Sequence, residues 1–386
     1  MRRRSARPVS LLLLILAVGC AGGTVPAPSR ARVSVTEVLG GDAAGFARAE
    51  RPREFVFPRD HAEHSEFRNE WWYFTGHLTD GDGDAFGYQL TFFRTALLSE
   101  EPQRQSAWAA RNLYMAHLAL SDVASEEFRV AERFARGAMG LAGSTADPLA
   151  VWLEGWRMDA VPEVLGMAPG RLPELRLSAA EDDFAIDLRL APSKPPVAHG
   201  DNGLSRKGAS AGNASHYYSV TRLQTAGVVR LGGTTHEVTG SSWFDREWST
   251  SALEPHQVGW DWFSLQLSDG RDLMLYLMRR DDGSNDPVSS GTLVGRDGAV
   301  AHLERADFDV QVTDRWRSSE GVVYPSGWRI RVPRVELELE VEPMLADQEF
   351  ATTFRYWEGL VRARGRAAGG AISARGFVEL TGYPVR

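Results

Sequence analysis

The chain has 386 residues, of which 43% are hydrophobic and 10% aromatic, and its formal net charge is −8. That length exceeds one typical domain, and the apolar fraction is enough for a real core. The acidic balance excludes a protein whose affinity rests on neutralising nucleic-acid phosphates, so no nucleic-acid partner is expected.

The N-terminus reads as a targeting segment. Arg2, Arg3, Arg4 and Arg7 precede a short apolar run, Leu11 to Val18. The run is far below the ~20 residues that span a bilayer, so it reads as a signal peptide over residues 1–19. It ends in Ala17-Val18-Gly19-Cys20, and Cys20 is the single cysteine, so no internal disulfide can form. The ending resembles the lipobox of bacterial lipoproteins. That implies lipidation of Cys20 and a periplasm-facing protein held on the bacterial membrane. Ala21 after the cysteine implies the outer membrane. An ordinary cleaved signal peptide is the alternative. Without residues 1–19 the balance is 39 basic against 51 acidic residues.

Residues 20–54 are rich in Ala, Gly, Pro and Arg and read as a tether. From 55 onward, period-2 alternation broken by Gly and Asp turns predicts strands, as in NLYMAHLALSD, FAIDLRL and VELELEVEP. The composition of residues 195–215 reads as a Pro/Gly/Ser-rich loop. Residues 71–81, WWYFTGHLTDG, and 260–270, WDWFSLQLSDG, repeat at an offset of 189, each followed by a second strand. Each copy predicts a hairpin with an Asp-Gly turn. The expected fold is all-β, with two tandem antiparallel barrels related by duplication, 55–238 and 239–386.

Alternation assigns faces. Glu70, Trp72 and Phe74 share one face of the first repeat strand, and Trp71 and Tyr73 share the other. Asp261 sits on an otherwise apolar face between Trp260 and Trp262. Both faces carry rings, so one is expected inside a barrel and the other against a neighbouring element. Twelve Trp in one chain suggest an aromatic cavity for an apolar ligand. Its candidate lining is Glu70, Trp72, Phe74, Tyr88, Trp243, Trp260, Trp262 and Tyr276.

Asp261 is the first catalytic candidate, since a carboxyl in an apolar pocket keeps its proton to higher pH and can act as a general acid. Pairing with an arginine such as Arg246 is the competing, structural reading. The stretch Ser242–Ser249 supplies Asp245, Arg246, Glu247 and Trp248, either an internal ion network or part of a site. Glu70 reads first as a strand-end acid bonded to an arginine or to backbone, and second as a site residue. The Gly208-Ala209-Ser210-Ala211-Gly212 pattern lacks the strand and helix of a nucleophile elbow. Asp80, Asp82 and Asp84 fit a hairpin turn, and His61 with His64 a loop pair, so no metal site is expected.

The segments NEWWYFTGHL, AHLALSD, HYYSVTRL, SWFDREWS, GWDWFSLQL, YWEGLV and GFVELTGY together resemble the carotenoid 1,2-hydratase/AttH-like family, from about residue 60 to the C-terminus. The resemblance implies two lipocalin-like barrels. For the hydratase branch it implies cofactor-free protonation of an isoprenoid double bond, a carbocation and addition of water. It places the acid at Asp261 and a supporting ring at Trp248. The branch has His and Tyr where this chain has Arg246 and Gly259. For the AttH branch it implies a non-catalytic carrier working with an ABC transporter.

Overall fold

A computed structural model describes residues 43–161, 171–251 and 253–385. The signal segment, Cys20 and the first part of the tether lie outside the described residues. The described chain is all-β, with three short 3₁₀ turns and no α-helix. Its first sheet holds β1 (Asn69–Asp80), β2 (Ala85–Ala96), β3 (Asn112–Asp122), β4 (Glu127–Arg136), β5 (Ala142–Ala146), β6 (Leu149–Leu153), β7 (Trp156–Ala160), β8 (Leu175–Ala180), β9 (Phe184–Pro192), β10 (Val197–Ala198), β11 (Leu204–Arg206), β12 (Ala214–Leu231) and β13 (Thr234–Ser249). The second holds β14 (Gln257–Leu267), β15 (Asp272–Arg280), β16 (Ser290–Val294), β17 (Val300–Leu303), β18 (Asp309–Arg317), β19 (Val323–Val332), β20 (Leu337–Pro343), β21 (Glu349–Ala351), β22 (Arg355–Ala367) and β23 (Gly370–Thr381).

Both sheets share one plan. The opening strand lies between the second strand and the last: β1 between β2 and β13, β14 between β15 and β23. The repeat predicts the two hairpins, β1 with β2 and β14 with β15, and the return of the last strand beside the first is what the structure adds. The first sheet curls until β2, β3 and β4 meet β6. Closure of this kind leaves few open edges. The sheets are two lipocalin-like barrels. The boundary differs from the expected 238/239. β13 runs through that point, pairing with β1 on one side and β12 on the other as far as Ser249. Closing the first barrel requires its last strand to return beside its first, so the changeover falls between Ser249 and Gln257.

Alternation sorts the rings as the pleat demands. Trp72, Phe74 and Leu78 point into the first barrel, and Phe263, Leu265 and Leu267 into the second. Tyr73 and Trp262, with Trp71 and Trp260, point outward into a third apolar cluster between the barrels. There Tyr73 and Trp262 meet edge-on at 5.2 Å between ring centroids, and Trp243 meets Trp262 at 6.3 Å. Charged groups lock the two barrels together. Asp272 of the second is held by Lys194 at 2.6 Å and Arg222 at 2.7 Å of the first.

Candidate active site

A cavity of about 250 Å³ lies on this seam, outside both barrel cores. The seam-facing side of β1 brings Asn69, Trp71 and Tyr73 to it. β14 brings Trp260 and Trp262, β15 brings Tyr276 and Met278, and β22 and β23 bring Glu358 and Glu379. Lys207, just after β11, reaches in from the first barrel. An aromatic wall of this kind suits an apolar ligand.

The carboxyls decide its chemistry. Glu358 and Glu379 stand directly opposite each other on β22 and β23. Such cross-strand partners have Cβ atoms about 4.5–5.5 Å apart. Neither has an ion-pair partner among the described residues. Tyr73 donates its hydroxyl to Glu358 Oε1 at 2.6 Å. Burial, and then the facing Glu379, push Glu358 well above the carboxylate range. Burial together with the charges of Asp245 and Glu247 pushes Glu379 up to about 8. The pair therefore holds at least one proton at neutral pH and titrates as a unit.

A second carboxyl group faces the same space from β13. Asp245 is buried and accepts from Tyr217 at 2.6 Å, from Trp243 Nε1 at 2.6 Å and from Ser219. Burial raises it to about 7 despite these donors. Glu247 accepts from Ser215 and pairs with Lys207 at 2.9 Å. Burial alone would discharge Lys207, but Glu247 overcomes this and holds its amine charged. Lys207 also sits 4.6 Å over the Tyr276 ring.

Several sequence candidates fall together here: Asp245, Glu247, Trp260, Trp262 and Tyr276 line the cavity, and Glu70 borders it. Trp243 joins them by its bond to Asp245. Others do not. Trp72, Phe74, Tyr88 and Trp248 are packed inside the first barrel. Their strands present the even-numbered face to the core, and the face toward the cavity is the other one. Arg246 is wholly buried, stacks over Trp72 at 3.9 Å and pairs with Glu70. Arg94 pairs with Glu70 from the other side. Burial would raise Glu70, but the two guanidiniums win and hold it well below the carboxylate range. Trp248 stacks on His64 at 3.7 Å, and the His64 backbone N–H donates to Glu70 at 3.1 Å. This network pins residues 60–70 to the barrel end.

Asp261 also lies away from the cavity. It faces the second barrel, where Arg279 Nε at 2.8 Å and the Tyr383 hydroxyl at 3.0 Å occupy it. Burial raises its pKa, against the pull of Arg279. Gly259 makes that pairing possible, because a Cβ there would stand 2.8 Å from Arg279 Nη2 and 2.4 Å from the Thr381 carbonyl. The structural reading of Asp261 is the one the geometry supports, with Arg279 in place of Arg246. Sequence reasoning passed over Glu358, Glu379, Tyr73, Tyr217 and Lys207. The signal was present in YWEGLV and GFVELTGY, where a lone Glu interrupts an apolar strand.

The fold and site define a class: two lipocalin-like barrels with an acid-lined aromatic cavity on their seam. The AttH-like family model matches residues 48–383, and the chain belongs to that family. Among solved structures, a protein assigned as AttH from Nitrosomonas europaea is 33% identical, covering 88% of this chain and all of that one, with a TM-score of 0.76. Kievitone hydratase from Nectria haematococca shares the fold at 15% identity, covering 87% of this chain and 98% of its own, with a TM-score of 0.62. CghA, solved with Sch210972, shares it at 12% identity, over 88% and 97% of the two chains, with a TM-score of 0.52. No curated protein matches the chain.

Proposed function

We propose that the chain is a hydratase-type enzyme that adds water across a double bond of an apolar substrate held in the seam cavity. The observation that carries this is the Glu358–Glu379 pair, two facing carboxyls in an aromatic chamber with no counter-ion among the described residues. A carboxyl that keeps its proton near neutral pH is a general acid. It protonates one alkene carbon, and positive charge develops on the other. The faces of Trp71 and Trp260 stabilise that charge. Asp245, with Glu247 and Lys207, orients a water that attacks the cation and then takes its proton. One water is added, no electrons are exchanged, and the acid pair is restored by proton return. A hydratase among the fold's other members supports the reaction type.

The lipobox-like Cys20 supports an exported, lipid-anchored enzyme acting on an isoprenoid or lipid. The same apolar wall favours a second reading, an AttH-type carrier that passes a lipid to an ABC transporter. Incubating the chain from residue 21 with unsaturated isoprenoids in heavy-oxygen water separates the two. Product carrying one labelled water, absent with Glu358→Gln, supports the hydratase. Ligand recovered bound but unchanged by wild type and variant alike rejects it in favour of the carrier.

A further inference from the structure

A second cleft, of about 340 Å³, opens farther along the same seam. β1 leads to it: His77 lies four residues beyond Tyr73 on the same side of the strand, roughly 13 Å away. The composition is opposite to that of the acid-lined cavity. Among the described residues no carboxylate lines the cleft, whereas Arg222, Arg375, His77, Gln266, Ser241 and Ser373 do. In a chain of net charge −8, an acid-free cleft with two arginines is a local inversion.

His77 is the telling residue. It is 7% exposed, and neither ring nitrogen has a hydrogen-bond partner among the described residues. Leaving buried polar atoms unpaired costs about 1–3 kcal/mol each, so such atoms are rare unless something else satisfies them. Burial, and then the charge of Arg375, push His77 down to about 3, so the ring is neutral and has one N–H to donate. Arg375 is exposed on β23 and has no ion-pair partner among the described residues. Arg222 is already oriented by Asp272 at 2.7 Å and by the Leu267 carbonyl at 2.7 Å. Asp272 also carries Lys194, so its single negative charge faces two cations.

We propose that this cleft is a binding site for a phosphate group, bridging the two barrels through Arg222, Arg375 and His77. With Arg222 Nε and Nη2 held by Asp272 and the Leu267 and Arg271 carbonyls, its Nη1, the Arg375 guanidinium, an imidazole N–H and two serines still offer more donors than the roughly four lone-pair sites of a carboxylate accept. A phosphate, with three or more acceptor oxygens and greater charge, matches them, and arginine forks suit its geometry. The site is independent of the hydration chemistry at the other cavity.

The test uses the whole chain from residue 21 with ¹⁵N-labelled histidine. Inorganic phosphate is titrated in while the His77 ring signals are followed, His77→Gln serving to assign them. A second arm titrates a short-chain phosphatidic acid below its micelle concentration, and acetate is the control anion. Phosphate is expected to move the His77 signals saturably. Arg375→Glu, on an exposed side chain, should weaken that response by roughly tenfold or more, the value of one charge-assisted bond. Equal response to both phosphates assigns the site to the phosphate group alone, and tighter binding of the phosphatidic acid assigns it to a lipid head group. The proposal is overturned if His77 does not respond, if acetate binds as well as phosphate, or if Arg375→Glu leaves the titration unchanged.

Discussion

Buried carboxylates occur in two settings in this molecule, and a counter-ion is the difference. At the end of the first barrel Glu70 is clamped between Arg94 and Arg246, and in the second barrel Asp261 is clamped between Arg279 and Tyr383. On the seam, Glu358 and Glu379 face each other with no ion-pair partner among the described residues. The paired acids stay with their partners and hold backbone in place. The unpaired acids cannot all ionise, so they keep exchangeable protons where a ligand would sit. A buried charged residue is thus structural or chemical according to what stands opposite it, not according to its own identity.

The largest expected effect tests the structural half. Glu70→Ala leaves two buried guanidiniums unpaired and should cost about 3–5 kcal/mol of stability. Urea denaturation reads this, and a loss below about 1 kcal/mol would place Glu70 with the surface pairs. The next tests the chemical half. Glu379→Gln should lower hydration turnover by about 10²–10⁴-fold, the usual worth of a general acid. Because it also removes a like-charge contact, its stability should stay level or rise. A variant that unfolds while wild-type turnover survives in the folded fraction would break the comparison.

The pH dependence joins both halves. Asp245 and Glu379 titrate at about 7 and 8 when folded, against ordinary values of 3.8 and 4.5. The folded state therefore binds more protons than the unfolded chain across that window, and stability falls as pH rises through it. Glu70 runs the other way: its contribution is present above its ordinary 4.5 and is lost as pH falls below it. Thermal melts should thus peak in mildly acidic buffer. Glu379→Gln should flatten the alkaline limb and leave the acid limb intact. The smallest effect is expected at Asp261. Asp261→Asn should cost about 1–3 kcal/mol of stability through the lost Arg279 partner. Turnover per folded molecule should be unchanged, and a large selective loss there would return the acid role to Asp261.

Much of the architecture was legible from residue order. The 189-residue offset between WWYFTGHLTDG and WDWFSLQLSDG announced two related hairpins, and period-2 alternation showed that each strand had two apolar faces. The boundary was misplaced because β13 carries no turn at 238/239, and only its pairing with β1 shows that it closes the first barrel. The candidate lining residues divide between core and seam for a similar reason. Alternation separates Trp71 from Trp72 but does not say which of them meets a core and which a seam.

By itself the sequence determined the strand content, the duplication and the alternation of faces, because these depend on neighbours one or two residues apart. It also placed Asp245 and Glu247 on one face, where the structure finds them. Tertiary structure alone decided that the aromatic, acid-lined cavity lies between the barrels. It alone brought Glu358 opposite Glu379 across a hairpin register, Lys207 to Glu247, and Arg279 to Asp261. A carboxyl's proton affinity depends on the charges and burial within a few ångströms of it, and in a sheet protein those neighbours arrive from strands tens or hundreds of residues away.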